Sequence, residues 1–406
     1  MFSKSNILLK RSLIGIVFFF VFYQHDFSQE KINISSDSIL ARKDILDVFI
    51  RNSKWYSKKH PEPGKKKLFF SFMPFSGSSS GEGVAISAIN ASFYLGDRNT
   101  TKLSNILFYP STNFNSRFQF KVFPNLWFRK NNWYLAGKFE VSYMEQKTYG
   151  LGGNTSIDSL NIIYFNAVKS YLILNRKIFP NFYLGIGHVF DNFYNIDEEW
   201  DEPWKSQFMQ YEYGTSEQAF SSGVTFNILY DSRKNIINPL SGFYLSLLYR
   251  INTSFFGSDY DWASLTLSVK KYINFSNLRH RTLAFWGLYW GNWGEIPYLN
   301  LPGTALDYTG WTGRGYYRAR YIGEEMIYAE TEYRFDITRN GLWGAVVFAN
   351  AQSLIEPDIN RFRHVKPAAG LGLRLKFNKY SDSNISFDVA FGKESFNWYV
   401  CLNEVF

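Results

Sequence analysis

The chain has 406 residues, a net charge of +9 and a mean hydropathy of −0.23. A single cysteine, Cys401, excludes an intrachain disulfide, and the mild basic excess forms no stripe of the kind that tracks nucleic acid, so no nucleic-acid partner is expected. Aromatic residues make up 20% of the chain. That suits strands with one apolar face, whose rings turn to lipid and gather in belts at the two interfaces.

The first predicted element is an export signal. Lys4, Lys10 and Arg11 precede a short apolar run, Ser12 to Tyr23. The run is shorter than the ~20 apolar residues that a membrane-spanning helix needs. Residues 1–28 therefore read as a signal peptide, cut between Ser28 and Gln29. Residues 29–66 are a polar lead-in. Within it Ile39/Leu40, Ile45/Leu46 and Phe49/Ile50 recur at near-helical spacing behind a possible cap at Asp37, which predicts a small helix in a periplasmic tail or plug.

From residue 67 the period changes to two and stays so to Phe406. In residues 366–378, Ala369, Leu371, Leu373, Leu375 and Phe377 alternate with Gly370, Gly372, Arg374 and Lys376. In 382–392, Ile385, Phe387, Val389 and Phe391 alternate with Asn384, Ser386, Asp388 and Ala390. In 396–406, Phe396, Trp398, Val400, Leu402 and Phe406 share a face, which is expected to meet lipid. Segments of this kind fit a wall with a lipid side and a polar inner side, and most reach the ~9–11 residues required to cross.

Sixteen such strands are predicted between 67–76 and 396–406. The fold class is an all-β, transmembrane, antiparallel β-barrel over residues 67–406, in the outer membrane and in contact with its lipids. Phe179–Pro180, Thr338–Asn340 and Lys379–Ser381 read as tight periplasmic turns. Residues 146–158, 195–217, 292–322 and 351–365 read as long outer loops, and the alternation of short and long connections agrees with an even strand count.

No motif for a nucleophile elbow, a metalloprotease or a paired-cysteine site is present, and the five histidines are scattered. No catalytic residue, cofactor or metal is expected. The glycines of Gly150 to Gly153 lie between strands, and the acidic run Asp197 to Glu202 reads as a solvated loop.

Four stretches carry a family resemblance. They are Asp231-Ser-Arg233-Lys-Asn235 through Pro239 to Gly242, then Arg314-Gly315-Tyr316, then Ala329-Glu-Thr-Glu332-Tyr-Arg334-Phe335, and the ending from Gly370 to Phe406. In this order they resemble the surface-antigen superfamily of outer-membrane barrels, the BamA, TamA and FhaC-type proteins. The resemblance implies a sixth outer loop folded inward, with Arg314, Gly315 and Tyr316 at its tip and Glu332 as the partner of the arginine. Alternation puts Glu330, Glu332, Arg334 and Asp336 on the inner side. A guanidinium held by carboxylate can pin such a loop. The family's F-x-D pattern is Phe348-Ala-Asn350 here, so Asn350 is expected to bond Arg314 without supplying charge. Residues 29–66 leave no room for the family's POTRA domains, so the resemblance is to a short form.

The seam between first and last strands is expected to be weak. Pro74 lies in the first strand and donates no ladder hydrogen bond, and Phe406 ends the last. Three functions follow as expectations: help in assembling or inserting other outer-membrane proteins, with those proteins or the assembly machinery as partners; a translocation pore gated by the sixth loop; or a structural, partner-binding barrel. Fold resemblance does not choose among them.

Overall fold

A computed structural model describes residues 42–45, 47–48, 68–73, 76–78, 84–85, 88–112, 117–199, 206–276 and 281–406. The expected signal 1–28, the cap Asp37 and Pro74 lie outside the described residues.

Among the described residues eighteen strand segments form one antiparallel sheet. The first four are short: β1 Leu68–Met73, β2 Ser76–Ser78, β3 Val84–Ala85 and β4 Ala88–Phe93. Then come β5 Ser104–Thr112, β6 Phe118–Trp127, β7 Trp133–Thr148, β8 Asn161–Phe179 and β9 Phe182–Glu199. The middle of the chain gives β10 Gln218–Asp231, β11 Gly242–Asn252, β12 Trp262–Asn274 and β13 Arg281–Gly294. The last five are β14 Glu325–Asp336, β15 Trp343–Glu356, β16 Arg361–Asn378, β17 Ser383–Gly392 and β18 Ser395–Leu402. From β4 to β18 each strand pairs with its neighbour in the chain. Among the described residues no helix is long and apolar enough to cross a membrane.

Period-two sequence becomes a two-faced sheet. Val141, Ile186, Val347, Leu371 and Leu373 are exposed on the outer face. Glu140, Asp191, Arg250, Glu332, Arg374 and Asp388 are buried on the inner one. Polar groups buried this way must find partners, and here they pair with one another and with the loop between β13 and β14.

Three expectations are corrected. The connection foreseen as a long loop at 351–365 is mostly strand, because β15 runs on to Glu356 and β16 starts at Arg361, with Glu356 paired to Arg361. The ladder simply continues past the apolar stretch into polar residues. The last strand stops at Leu402, not at residue 406. Phe406 does not face lipid: it is 5% exposed and packs inside against Trp286 and Tyr272, at centroid distances of 5.3 and 6.3 Å. The cause is Asn403, whose φ of 77° turns the chain off the sheet. Asparagine tolerates that left-handed conformation better than most residues.

Near the N-terminus the Val48 N–H bonds back to the Asp44 carbonyl at 3.3 Å, and the Asp44 carboxylate accepts from Asp47 N at 2.8 Å. This turn lies against two inter-strand turns, with Lys43 N donating to Asn340 O at 2.9 Å and Lys379 N to Asp44 Oδ2 at 3.0 Å.

Candidate functional site: the inward loop and its charged wall

The loop of residues 295–324 folds across the inner face. Its local shape comes from Asp307. One carboxylate oxygen accepts from the N–H and hydroxyl of Thr312, both at 2.8 Å; the other accepts from Thr309 and Gly310. That short-range cage presents the segment from Gly313 to Tyr316 as a tip. Gly315 has φ 107°, and a Cβ there would lie 2.8 Å from Ala368 Cβ. Only glycine suits both the backbone angle and the close approach.

Arg314 is 1% exposed. Its Nη1 donates to Asp388 Oδ2 at 2.9 Å, and its Nη2 donates to Glu330 and Glu332. The guanidinium lies over the Phe348 ring, 3.7 Å from the centroid. Asn350 donates to the Arg314 carbonyl at 2.9 Å rather than meeting the guanidinium. The charge that asparagine lacks is supplied one strand pair further on, by Asp388 of β17. Tyr316 donates its hydroxyl hydrogen to Pro367 O at 2.7 Å, and Gly315 N donates to the Tyr399 hydroxyl at 2.9 Å. All five residues expected at the loop contact, Arg314, Gly315, Tyr316, Glu332 and Asn350, thus lie around one buried centre.

Three participants were not foreseen: Arg374, Asp388 and Glu404. Arg374 Nη1 meets Asp388 Oδ1 at 2.5 Å, and its Nε meets Glu404 Oε2 at 2.8 Å. Glu404 lies 3.8 Å from Arg334 Nε, and Arg334 bonds Glu332 at 2.5 Å. The sequence Arg314, Glu332, Arg334, Glu404, Arg374, Asp388 therefore closes on itself as a ring of alternating charge. Burial alone would raise the Glu404 carboxyl, but Arg374 and Arg334 outweigh it and hold the group down to about 2. Alternation in the sequence marks Arg374 and Asp388 as inner-facing. It carries no signal for which strand the loop tip reaches, or that the chain turns inward after Leu402.

The loop is also held far from its tip. The Tyr308 hydroxyl donates to Gly137 O on β7 at 2.6 Å. Asn300 donates to Asp191 Oδ2 on β9 at 3.1 Å, where Arg250 also binds at 2.6 Å. The Tyr298 and Thr148 hydroxyls are 2.6 Å apart. At the opposite end, the D-x-R-x-N turn folds on itself. Asp231 takes Arg233 Nε at 3.0 Å, and Asn235 donates to Ser381 O at 3.1 Å.

This architecture is similar to that of solved outer-membrane barrels. BamA from Haemophilus ducreyi lacking POTRA domains 1-3 superposes with a TM-score of 0.53 at 15% identity, over 84% of this chain and 70% of that one. CdiB from Acinetobacter baumannii gives 0.51 at 11% identity, over 83% of this chain and 60% of that one. CdiB from Escherichia coli gives 0.50 at 11% identity, over 84% and 63%. The chain thus spans less than two thirds of either CdiB chain. At these identities the likeness is one of fold, and the fold is the BamA-type barrel. No protein-family model matches the chain, and no curated protein matches it by sequence.

Proposed function

We propose that the chain is a sixteen-stranded barrel of the Gram-negative outer membrane that assists the assembly or insertion of other outer-membrane proteins through its seam. The strand count takes β1 with β2, and β3 with β4, as two arms, which reduces the eighteen described segments to sixteen. The exposed apolar outer face and the BamA-type fold support the location. Residues 1–28 serve as the export signal and 29–66 as a periplasmic lead-in.

One observation carries the functional reading. Among the described residues β18 pairs with β2 at Tyr399↔Ser78 and Val400↔Gly77, and just beyond, at Asn403, the chain leaves the sheet. A last strand that turns off the sheet at its end leaves backbone N–H and C=O groups beside it available to a new strand. Arg314, Gly315, Tyr316, Glu332 and Asn350 latch the loop behind this seam. The test is to lock the seam with Gly77→Cys and Val400→Cys in a Cys401→Ser background, then measure the levels of other outer-membrane proteins in cells depleted of the native chain. Loss of those proteins on oxidation, reversed by reductant, is expected. Full support with the seam locked overturns the reading.

A second reading, a translocation pore gated by the loop, draws on how far the loop crosses the inner face, from Gly137 on β7 to Asp388 on β17. It predicts a conductance in planar bilayers that rises when the loop is deleted.

A further inference from the structure

The loop tip and the last strand share two contacts that the latch does not require. Gly315 N donates to the hydroxyl of Tyr399, the residue of β18 that pairs with Ser78 across the seam. Trp311 packs on the same ring at 5.9 Å. Beyond the strand, Glu404 binds Arg374 and lies beside Arg334, both of which belong to the ring that contains Arg314. Asn384 of β17 donates to the other oxygen of Glu404 at 2.6 Å, and Arg334 donates to Phe406 O at 2.7 Å. The segment after Leu402 is therefore tied to the same charges that hold the loop.

We propose that Tyr399 and Glu404 couple the inward loop to the seam, so that β18 cannot leave β2 while the loop tip is seated, and withdrawal of the tip frees the seam strand. This deepens the proposed function, resting on it for the identity of the seam. The chain after Leu402 leaves the backbone ladder. Side chains anchored on β14, β16 and β17 hold it from the inside. A charge network closed on itself behaves as one unit, because removing any member leaves others buried and unpaired. Tyr399 and Glu404 act as positioning residues. They touch the loop tip and its charged partners, not a client.

The chain carries its own reporter. Cys401 is the single cysteine, buried in β18 between Tyr399 and the turn at Asn403. Its labelling by a charged thiosulfonate reagent, with the full chain folded in outer-membrane vesicles, reads release of this strand without any client or cargo. Glu404→Gln and Arg314→Ala are each expected to raise the rate roughly fivefold or more, and the double variant no more than about twofold beyond the larger single effect. Wild-type labelling in folded Glu404→Gln, or a double variant in which the two effects multiply, overturns the coupling. Should Glu404→Gln give no heat-modifiable folded species, Tyr399→Phe carries the test, since it removes only the hydroxyl that accepts from Gly315. Faster labelling then supports the coupling, and wild-type labelling overturns it. Because no client takes part, failure here leaves the assembly reading standing, and failure of the locked-seam experiment leaves the coupling standing.

Discussion

The wall of β7 and β8 and the seam of β18 and β2 are built by opposite means. β7 pairs with β8 without a break from Trp133↔Arg176 to Thr148↔Asn161. Backbone hydrogen bonds hold that wall, and they do not depend on which side chains line it. Among the described residues the seam pairs Tyr399 with Ser78 and Val400 with Gly77, and the adjoining chain is held by Glu404, Tyr399 and Phe406 against inner-face partners. Ladder bonds are uniform and hard to remove one at a time. Side-chain bonds are specific, titratable and removable. On the proposed function, the barrel opens where side chains rather than ladder bonds hold the chain.

The largest expected effect comes from the centre of the charged ring. Arg314→Ala leaves Glu330, Glu332 and Asp388 short of a buried cation, which costs about 3–5 kcal/mol. A urea or heat-modifiability midpoint in vesicles measures it. Arg314→Lys should recover only a minor part, since one ammonium cannot serve carboxylates on two sides of a planar fork. Val141→Ala on the outer face of β7 is the contrasting control, with a shift within ~1 kcal/mol. Equal losses in the two places would erase the distinction between wall and seam.

Next is the dependence on pH. Glu404 is held down to about 2 in the fold, against ~4.3 for a free glutamate. A depressed carboxyl stabilises the fold above its unfolded pKa, and that contribution is lost as pH falls through the folded value. The difference amounts to about 2–3 kcal/mol. Stability should therefore be flat in this respect above pH ~5 and fall toward pH ~2, and Glu404→Gln should remove that part of the acid slope. An unchanged slope in Glu404→Gln would mean that other carboxyls carry it. Gly315→Ala follows, at about 1–3 kcal/mol, for a side chain in a left-handed conformation pressed on Ala368.

Much of this was legible in the sequence. Strict alternation predicted the two-faced sheet and placed Glu330, Glu332 and Arg334 on the inner side, because a period of two allows each residue only one face. The latch residues were legible through a motif whose glycines and arginine have physical reasons to be there. What escaped was long-range. Phe406 stands in phase with Trp398, Val400 and Leu402, so the pattern runs on through Asn403 although the chain does not. Its true site, beside Lys270 at 5.7 Å and Arg334 at 5.2 Å, is built by strands far away in sequence. Residues 351–356 and 361–366 are too polar to look membrane-bound, yet backbone pairing does not need an apolar face to continue.

The smallest effect tests the charge balance behind the seam most directly. The family pattern has aspartate where this chain has Asn350, so the analogy suggests that Asn350→Asp should tighten the latch. The geometry argues the reverse. Asn350 uses its amide to donate to the Arg314 carbonyl at 2.9 Å, and a carboxylate there would set oxygen against oxygen. Both terminal nitrogens of the guanidinium are already taken, by Asp388 on one side and by Glu330 and Glu332 on the other. Glu330, Glu332, Asp388 and Glu404 already outnumber Arg314, Arg334 and Arg374, so another carboxylate adds repulsion in a buried place. Asn350→Asp should therefore destabilise the fold by about 1 kcal/mol, read from the same unfolding midpoint. Combining it with Asp388→Asn sharpens the point. If the ring is limited by its count of carboxylates, the double variant should lose less than the two single losses added together. If each residue matters only through its own hydrogen bond, the losses should add.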